Sequence, residues 1–219
     1  MKNILLPSHY QYIVIEGNIG AGKTSLANIL ATKFNAHAVM ESFAENTFLP
    51  QFYENPERFA FPLEMSFLAE RYQQLKNEQD HAKKNKELLV GDYLFEKSLL
   101  FAQVNLQGAE LELFTRFYHL INPTLKTPDV ILYLHRSTEA LLKNIAHRGR
   151  TYEKSIKGDY LEKLSQRYLD HLLSIENQNI ILIESDSLDF VHNSEDLRFM
   201  LDHLSGHTQK GLLHVRYEK

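Results

Sequence analysis

An α/β fold with a mostly parallel sheet is what this sequence predicts, and three observations carry the prediction. Apolar, β-branched runs recur at 12–15, 88–90, 130–134 and 180–183, and such unbroken runs suit strands covered on both faces. Stretches with a helical period lie between them. A glycine-rich segment joins the first run to the first helix.

The elements follow in order. After the strand at 12–15, residues 24–34 place Leu26, Ile29, Leu30 and Phe34 on one helical stripe. A shorter apolar run at 38–40 is a weaker strand. Residues 56–84 form a long amphipathic helix with Phe59, Leu63, Phe67, Leu68 and Leu75 inward. The strand at 88–90 precedes helices at 96–106 and 110–120, and Asn122-Pro123 stops the second. The strand at 130–134 leads to a helix at 138–146, N-capped by Ser137. The stretch 148–159 is dense in charge, holds Gly149 and Gly158, and reads as a mobile loop before the helix at 160–175. The strand at 180–183 and a helix at 194–204, stopped by Gly206, complete the domain, taken as 1–205. The tail 206–219 is left open between disorder and an edge strand through 212–217.

Composition narrows the class. The 219 residues suit one domain. A formal net charge of −4 gives no basic field to recruit nucleic acid or an anionic membrane. No cysteine is present, so disulfides and thiolate-bound metals are excluded and a reducing, cytoplasmic setting is expected. The opening apolar stretch Ile4-Leu5-Leu6 is broken by Pro7, too short for a signal peptide, and no apolar run approaches the roughly 20 residues of a membrane helix.

Chemistry is concentrated in Gly17-Asn18-Ile19-Gly20-Ala21-Gly22-Lys23-Thr24, a complete G-x-x-x-x-G-K-[ST] match followed by Ser25. It follows an apolar strand and opens a helix, as phosphate binding requires: glycines let the backbone wrap the phosphates, and the helix N-terminus adds positive potential. Lys23 would neutralise the β- and γ-phosphates and Thr24 would ligate Mg²⁺. The implied ligand is a nucleoside triphosphate with Mg²⁺, and the loop alone does not separate kinases from GTPases, ATPases or helicases. No N-K-x-D guanine signature of GTPases is present.

Further segments, together with this loop, resemble the deoxynucleoside kinase family, especially its bacterial deoxyadenosine and deoxyguanosine kinases, over about 12–190. They are Glu41-Ser42-Phe43-Ala44-Glu45-Asn46, Tyr53-Glu54-Asn55-Pro56-Glu57-Arg58-Phe59, the lid-like Arg148-Gly149-Arg150-Thr151-Tyr152-Glu153, and Leu188-Asp189-Phe190. The resemblance implies a P-loop kinase fold with a five-stranded parallel sheet in order 2-3-1-4-5, an Arg-rich lid, and transfer of the ATP γ-phosphate to the 5′-hydroxyl of a purine deoxynucleoside in nucleotide salvage. It makes Glu41 the general base, Asp92 a partner of Mg²⁺, Arg148 and Arg150 clamps on the transferring phosphoryl group, and Tyr53 and Glu153 brackets on the sugar 3′-hydroxyl. Asp189 and Phe190 lie where the adenine of ATP binds. It further implies a homodimer through the helices 56–84 and 96–106.

Three positions depart from that pattern. Glu64 stands eleven residues after Tyr53, where the family carries a base-reading Gln; the D/E-R-S triplet is Asp92-Tyr93-Leu94; and Lys97 falls where many members have Asp. An ionised Glu64 offers acceptors only, suited to the adjacent N1–H and N2–H₂ donors of guanine. The alternative is that Lys97 neutralises Glu64. The absent Arg leaves two readings open: Arg71 substitutes, or the chain is a weakly catalytic nucleotide-binding partner. A nucleoside monophosphate kinase of the thymidylate type is a third. Eleven histidines form no H-E-x-x-H, and Gly206 separates His203 from His207, so no zinc site is expected.

Overall fold

The computed structural model describes residues 4–42 and 46–217. Within these, six parallel strands form one sheet in the order β2-β3-β1-β4-β5-β6. The strands are β1 (Tyr12–Gly17), β2 (His37–Val39), β3 (Leu89–Gly91), β4 (Val130–His135), β5 (Asn179–Glu184) and β6 (Gly211–Arg216). The expected order 2-3-1-4-5 holds, and a sixth strand extends it. β6 runs beside β5 from Asn179↔Gly211 to Glu184↔Arg216. At this outer edge Arg216 Nε donates to Glu184 Oε1 at 2.9 Å. The tail thus takes the edge-strand alternative through 216.

The helices are α1 (Lys23–Phe34), α2 (Phe48–Glu54), α3 (Pro56–Asn85), α4 (Lys97–Asn105), α5 (Gly108–Ile121), α6 (Thr138–Arg148), α7 (Gly158–Ser174) and α8 (Ser194–Gly206). Two buried apolar clusters cover the two faces of the sheet. One gathers Val14, Tyr93, Ile131 and Tyr133 with Leu63, Leu68 and Leu75 of α3 and Tyr168 of α7. The other gathers Ile13, Ile15, Leu132 and Ile181 with Leu26 and Leu30 of α1 and Leu201 of α8. Alternate residues of each strand point to opposite faces, which is why runs such as Tyr12–Gly17 are buried throughout.

Local chemistry sets several boundaries. Asn55 accepts from Arg58 N at 3.3 Å and Pro56 opens α3, a favourable start because proline has no N–H to leave unpaired. Ser137 caps α6 by accepting from Ala140 N. Two expectations are corrected. The segment after Gly149 is not an open loop but holds a 3₁₀ turn, Thr151–Ser155. Gly206 belongs to the last turn of α8 instead of ending it, and His207 is the C-cap. Because every strand is parallel, the residues following β1, β2, β3 and β5 emerge at one end of the sheet, where doubly wound folds bind ligands.

Candidate active site

The glycine-rich loop crosses from β1 to α1 with left-handed backbone at Gly20 (φ 84°) and Gly22 (φ 96°). A Cβ at Gly20 would sit 2.8 Å from Leu141 O, and one at Gly22 3.0 Å from Phe190 Cζ. Both conformation and space therefore demand glycine. Gly17, Asn18 and Ala21 are absent from the linings of the two cavities at this end of the sheet. Asn18 is an anchor: its Nδ2 donates to Leu161 O at 2.7 Å and Ser165 Oγ at 2.8 Å, tying the loop to α7. Asn144 Nδ2 donates to Gly20 O at 2.8 Å from α6. These anchors lie over 120 residues from the loop, and no local signal marks them.

Lys23 Nζ donates to Asn18 O at 2.9 Å across the loop. Burial and the nearby Lys97 charge lower its pKa to about 8, against the pull of Glu16, Glu41 and Asp92. Thr24 Oγ1 donates to Asp92 Oδ2 at 2.5 Å, and Asp92 Oδ1 accepts from Glu41 N at 2.7 Å. The structure thus brings the two proposed Mg²⁺ partners together beside the start of the Glu41 segment, whose residues 43–45 lie outside those described. The hydroxyl and carboxylate oxygens are hard donors of the kind Mg²⁺ takes.

Glu41 lies between two cations. Arg71 reaches its Oε1 through Nε at 2.8 Å and through its second terminal nitrogen at 2.7 Å, and Lys97 Nζ meets Oε2 at 2.5 Å. Arg71 also donates to Ser98 Oγ at 2.9 Å. Burial alone would raise the Glu41 carboxyl, but Lys97 and Arg71 outweigh it and hold Glu41 well below the usual carboxylate range. Geometry bears on two of the sequence questions. Lys97 forms its ion pair with Glu41, while its charge, with that of Arg71, also acts on Glu64. The position without Arg is filled by Tyr93, which is buried and donates to Gln74 Oε1 at 2.7 Å, while Arg71 and Lys97 supply positive charge to Glu41.

A cavity opens in front of these groups, bounded by Ile19, Tyr53, Phe67, Asn105, Glu153 and Tyr160 among others. Glu64 lines it at 1% exposure. Asn105 Nδ2 donates to its Oε1 at 2.6 Å, while its Oε2 is buried without a partner among the described residues. Burial pushes Glu64 up to about 7, opposed by the Arg71 charge and the Asn105 hydrogen bond. Tyr53 stacks on Tyr152 with ring centroids 6.3 Å apart. Phe67 of α3 lines the cavity, whereas Leu68 belongs to the core and the Tyr72 hydroxyl accepts from Thr124 Oγ1. Asn105 and Tyr160 were missed by sequence reasoning, because a polar residue at a helix end and one tyrosine among eleven carry no pattern.

The lid residues converge on one acid. Arg148 donates through Nε at 3.1 Å and a terminal nitrogen at 2.6 Å to Glu153, and Arg150 approaches Glu153 Oε1 at 3.3 Å. Both arginines also line the second cavity, with Gly20, Gly22, Ser25, Arg136, Asp189 and Phe190. Phe190 is buried against Gly22, and Asp189 is exposed with His192 N donating to it at 3.1 Å. The two cavities share Gly20, Lys23, Thr24, Glu41 and the lid arginines. The Glu41 carboxylate, the glycine-rich loop and two arginines therefore stand where the two cavities meet.

The family model described as deoxynucleoside kinase matches residues 13–207. The chain belongs to the deoxynucleoside kinase family. This deoxynucleoside kinase is 36% identical over 197 residues to the deoxyguanosine kinase of Bacillus subtilis (strain 168), covering 88% of this chain and 95% of that protein. It is 30% identical to the deoxyguanosine kinase of Lactobacillus johnsonii over 88% of this chain and 90% of the relative. With the deoxyadenosine kinase of Lactobacillus acidophilus it shares 32% over 84% and 89%. Among solved structures, deoxyadenosine kinase from M. mycoides with dCMP and dCDP bound superposes with a TM-score of 0.77 at 24% identity, over 89% of this chain and 99% of that one. That likeness bears on the fold. Kinase chemistry follows from family membership, and the alternative of a nucleotide-binding partner without phosphotransfer is not favoured.

Proposed function

We propose that this kinase transfers the γ-phosphoryl group of ATP to the 5′-hydroxyl of a purine deoxynucleoside, with guanine preferred, in nucleotide salvage. The observation that carries the base preference is Glu64: a buried carboxylate in the cavity wall whose Oε2 has no partner among the described residues and whose neighbour Lys97 is engaged by Glu41. Guanine offers N1–H and N2–H₂ side by side, and a carboxylate accepts from both. Adenine sets an acceptor nitrogen beside its N6 donor, and that lone pair faces the carboxylate. The names of the Bacillus and Lactobacillus deoxyguanosine kinases support the same reading.

In the mechanism, ATP occupies the cavity beside Ser25, Asp189 and Phe190, with its phosphates in the loop Gly17 to Thr24, and the deoxynucleoside occupies the cavity walled by Tyr53, Phe67 and Glu64. Glu41 orients the 5′-hydroxyl and accepts its proton. A loose phosphoryl transfer leaves that proton in place until late, so a carboxylate of low basicity suffices if it is held in position, as Arg71 and Lys97 hold it. Lys23 meets the β- and γ-phosphates, and Arg148 and Arg150 swing from Glu153 toward the charge that spreads over the transferring group. Glu153 and Tyr53 then meet the sugar 3′-hydroxyl. Thr24 and Asp92 would hold Mg²⁺, which supplies charge neutralisation to the phosphates when bound.

Assembly as a homodimer through α3 and α4 and a cytoplasmic setting belong to the same proposal; among the described residues no helix is long and apolar enough to cross a membrane. The test is phosphoryl transfer from Mg·ATP to each of the four deoxynucleosides, with the matching monophosphates in parallel. The proposal expects deoxyguanosine to give the highest kcat/KM and the monophosphates none. Equal or better turnover of deoxyadenosine removes the base assignment, and turnover of monophosphates alone removes the nucleoside. Light scattering at micromolar concentration reports the dimer, and a monomer refutes it.

A further inference from the structure

A cluster of four titratable side chains lies at the other end of the strands from the phosphate loop. Glu78 and His81 are three apart on α3, which sets them on one helix face. The helix stops at Lys86 in left-handed conformation (φ 57°), with Glu87 N donating to Ala82 O at 3.0 Å, so Glu87 folds back along the last turn. Parallel pairing of β2 with β3, begun by His37 N donating to Leu88 O at 2.8 Å, sets His37 beside it. One nitrogen of each histidine and one Glu87 oxygen lie within 4.8 Å of one another. His81 Nε2 stands 3.6 Å and His37 Nδ1 4.0 Å from Glu87 Oε2, and the two rings are 4.8 Å apart.

Glu78 Oε2 is 2.6 Å from His37 Nε2, which suits the tautomer whose Nε2–H donates to Glu78 and whose lone pair lies on Nδ1, facing Glu87. This is the carboxylate–imidazole pairing that supports metal-binding histidines from outside the ligand set. Asn85 Nδ2 lies 2.8 Å from His81 Nε2 and donates to it, so that nitrogen also carries a lone pair, which a cation would take from the amide. Ligands of tetrahedral zinc at about 2.0–2.1 Å stand about 3.3 Å apart. The side chains here are a third to a half exposed and need displacements on the order of an ångström to reach that spacing.

We propose that His37, His81 and Glu87 bind one divalent transition-metal ion of the zinc class, with Glu78 as the outer carboxylate and water in the fourth position. Two imidazoles and a carboxylate suit Zn²⁺, Ni²⁺ or Cu²⁺ and not the all-oxygen sphere of Mg²⁺. The site is distinct from the catalytic one. His37 lies four residues before Glu41, roughly 13 Å along an extended chain. The ion ties a three-residue edge strand, paired on one side, to the end of a 30-residue helix and so acts as a structural staple.

The experiment titrates Zn²⁺ into the full chain, stripped with chelator and free of nucleotide, by calorimetry and by thermal unfolding. Expected are one tight equivalent per chain, a Tm that rises with Zn²⁺, and no displacement by excess Mg²⁺. His81→Ala and His37→Gln should each weaken that equivalent at least about tenfold, and Glu78→Gln about 10–100-fold, as loss of an outer partner does. The Tm rise should vanish in His81→Ala while deoxynucleoside phosphorylation under saturating Mg·ATP stays as in the wild type. No tight equivalent in the wild type overturns the proposal. So does a tight equivalent that persists in both histidine variants, which would place the ion on others of the eleven histidines.

Discussion

Replacing Glu64 by Gln changes one oxygen for an amide in a fully buried position, and the consequence follows from what faces it. Asn105 already donates to Oε1, and Oε2 is the acceptor left over for the base. In Glu64→Gln the amide group meets one of the two guanine donors, so one charge-assisted hydrogen bond is lost. At about 1.5–3 kcal/mol for such a bond, kcat/KM for deoxyguanosine should fall about 10–150-fold. Deoxyadenosine should gain, because Gln matches its donor–acceptor pair. The pH profile separates this from a packing effect. With Glu64 at about 7 in the free enzyme, the ionised fraction and hence kcat/KM for deoxyguanosine should drop about tenfold per unit below pH 7, and Glu64→Gln should flatten that limb. A raised pKa also stabilises the fold below the unfolded value of about 4.3 and loses that contribution as pH rises through 7. The Tm of the wild type should therefore fall relative to Glu64→Gln as pH rises from about 4.3 to 7 and level off above that. Unchanged base preference together with an unchanged pH limb would refute the assignment of Glu64 as the base reader.

Three further outcomes are expected. Lys97→Met removes one of two buried cations from Glu41 and should cost about 3–5 kcal/mol of stability by denaturant titration; because the depressed Glu41 pKa contributes stability above about pH 4.3 that is lost as pH falls through its folded value, the acid-unfolding midpoint should move upward. Gly22→Ala forces a left-handed alanine against Phe190, costing about 1–2 kcal/mol, so fluorescence titration should show ATP binding weakened about five- to thirtyfold. Arg148→Ala removes a donor to the transferring group and should lower kcat about 10²–10³-fold with a smaller change in the KM for ATP; an unchanged kcat would place the arginine outside the transition state.

What the sequence determined by itself was the local and periodic part. The eight-residue phosphate loop is legible because its chemistry depends on consecutive backbone conformations, and left-handed φ at Gly20 and Gly22 shows up as glycine. The first five strands and seven of the helices are legible because burial imposes a period on the chain. The helix α2, from Phe48 to Glu54, was not: it is seven residues long with Pro50 inside and shows one buried side chain, Phe52. β6 was ambiguous because an edge strand is only partly covered, so its pattern is weak.

Tertiary structure alone decided who neutralises Glu41. Arg71 and Lys97 stand 30 and 56 residues away, and their pairing depends on α3 and α4 packing side by side. The orphaned Glu64 oxygen, the Asn18 and Asn144 anchors, and the meeting of His37 with His81 and Glu87 share that origin. Charges and lone pairs act through space, and only the folded chain fixes which of them are near enough to act and dry enough for the interaction to be strong.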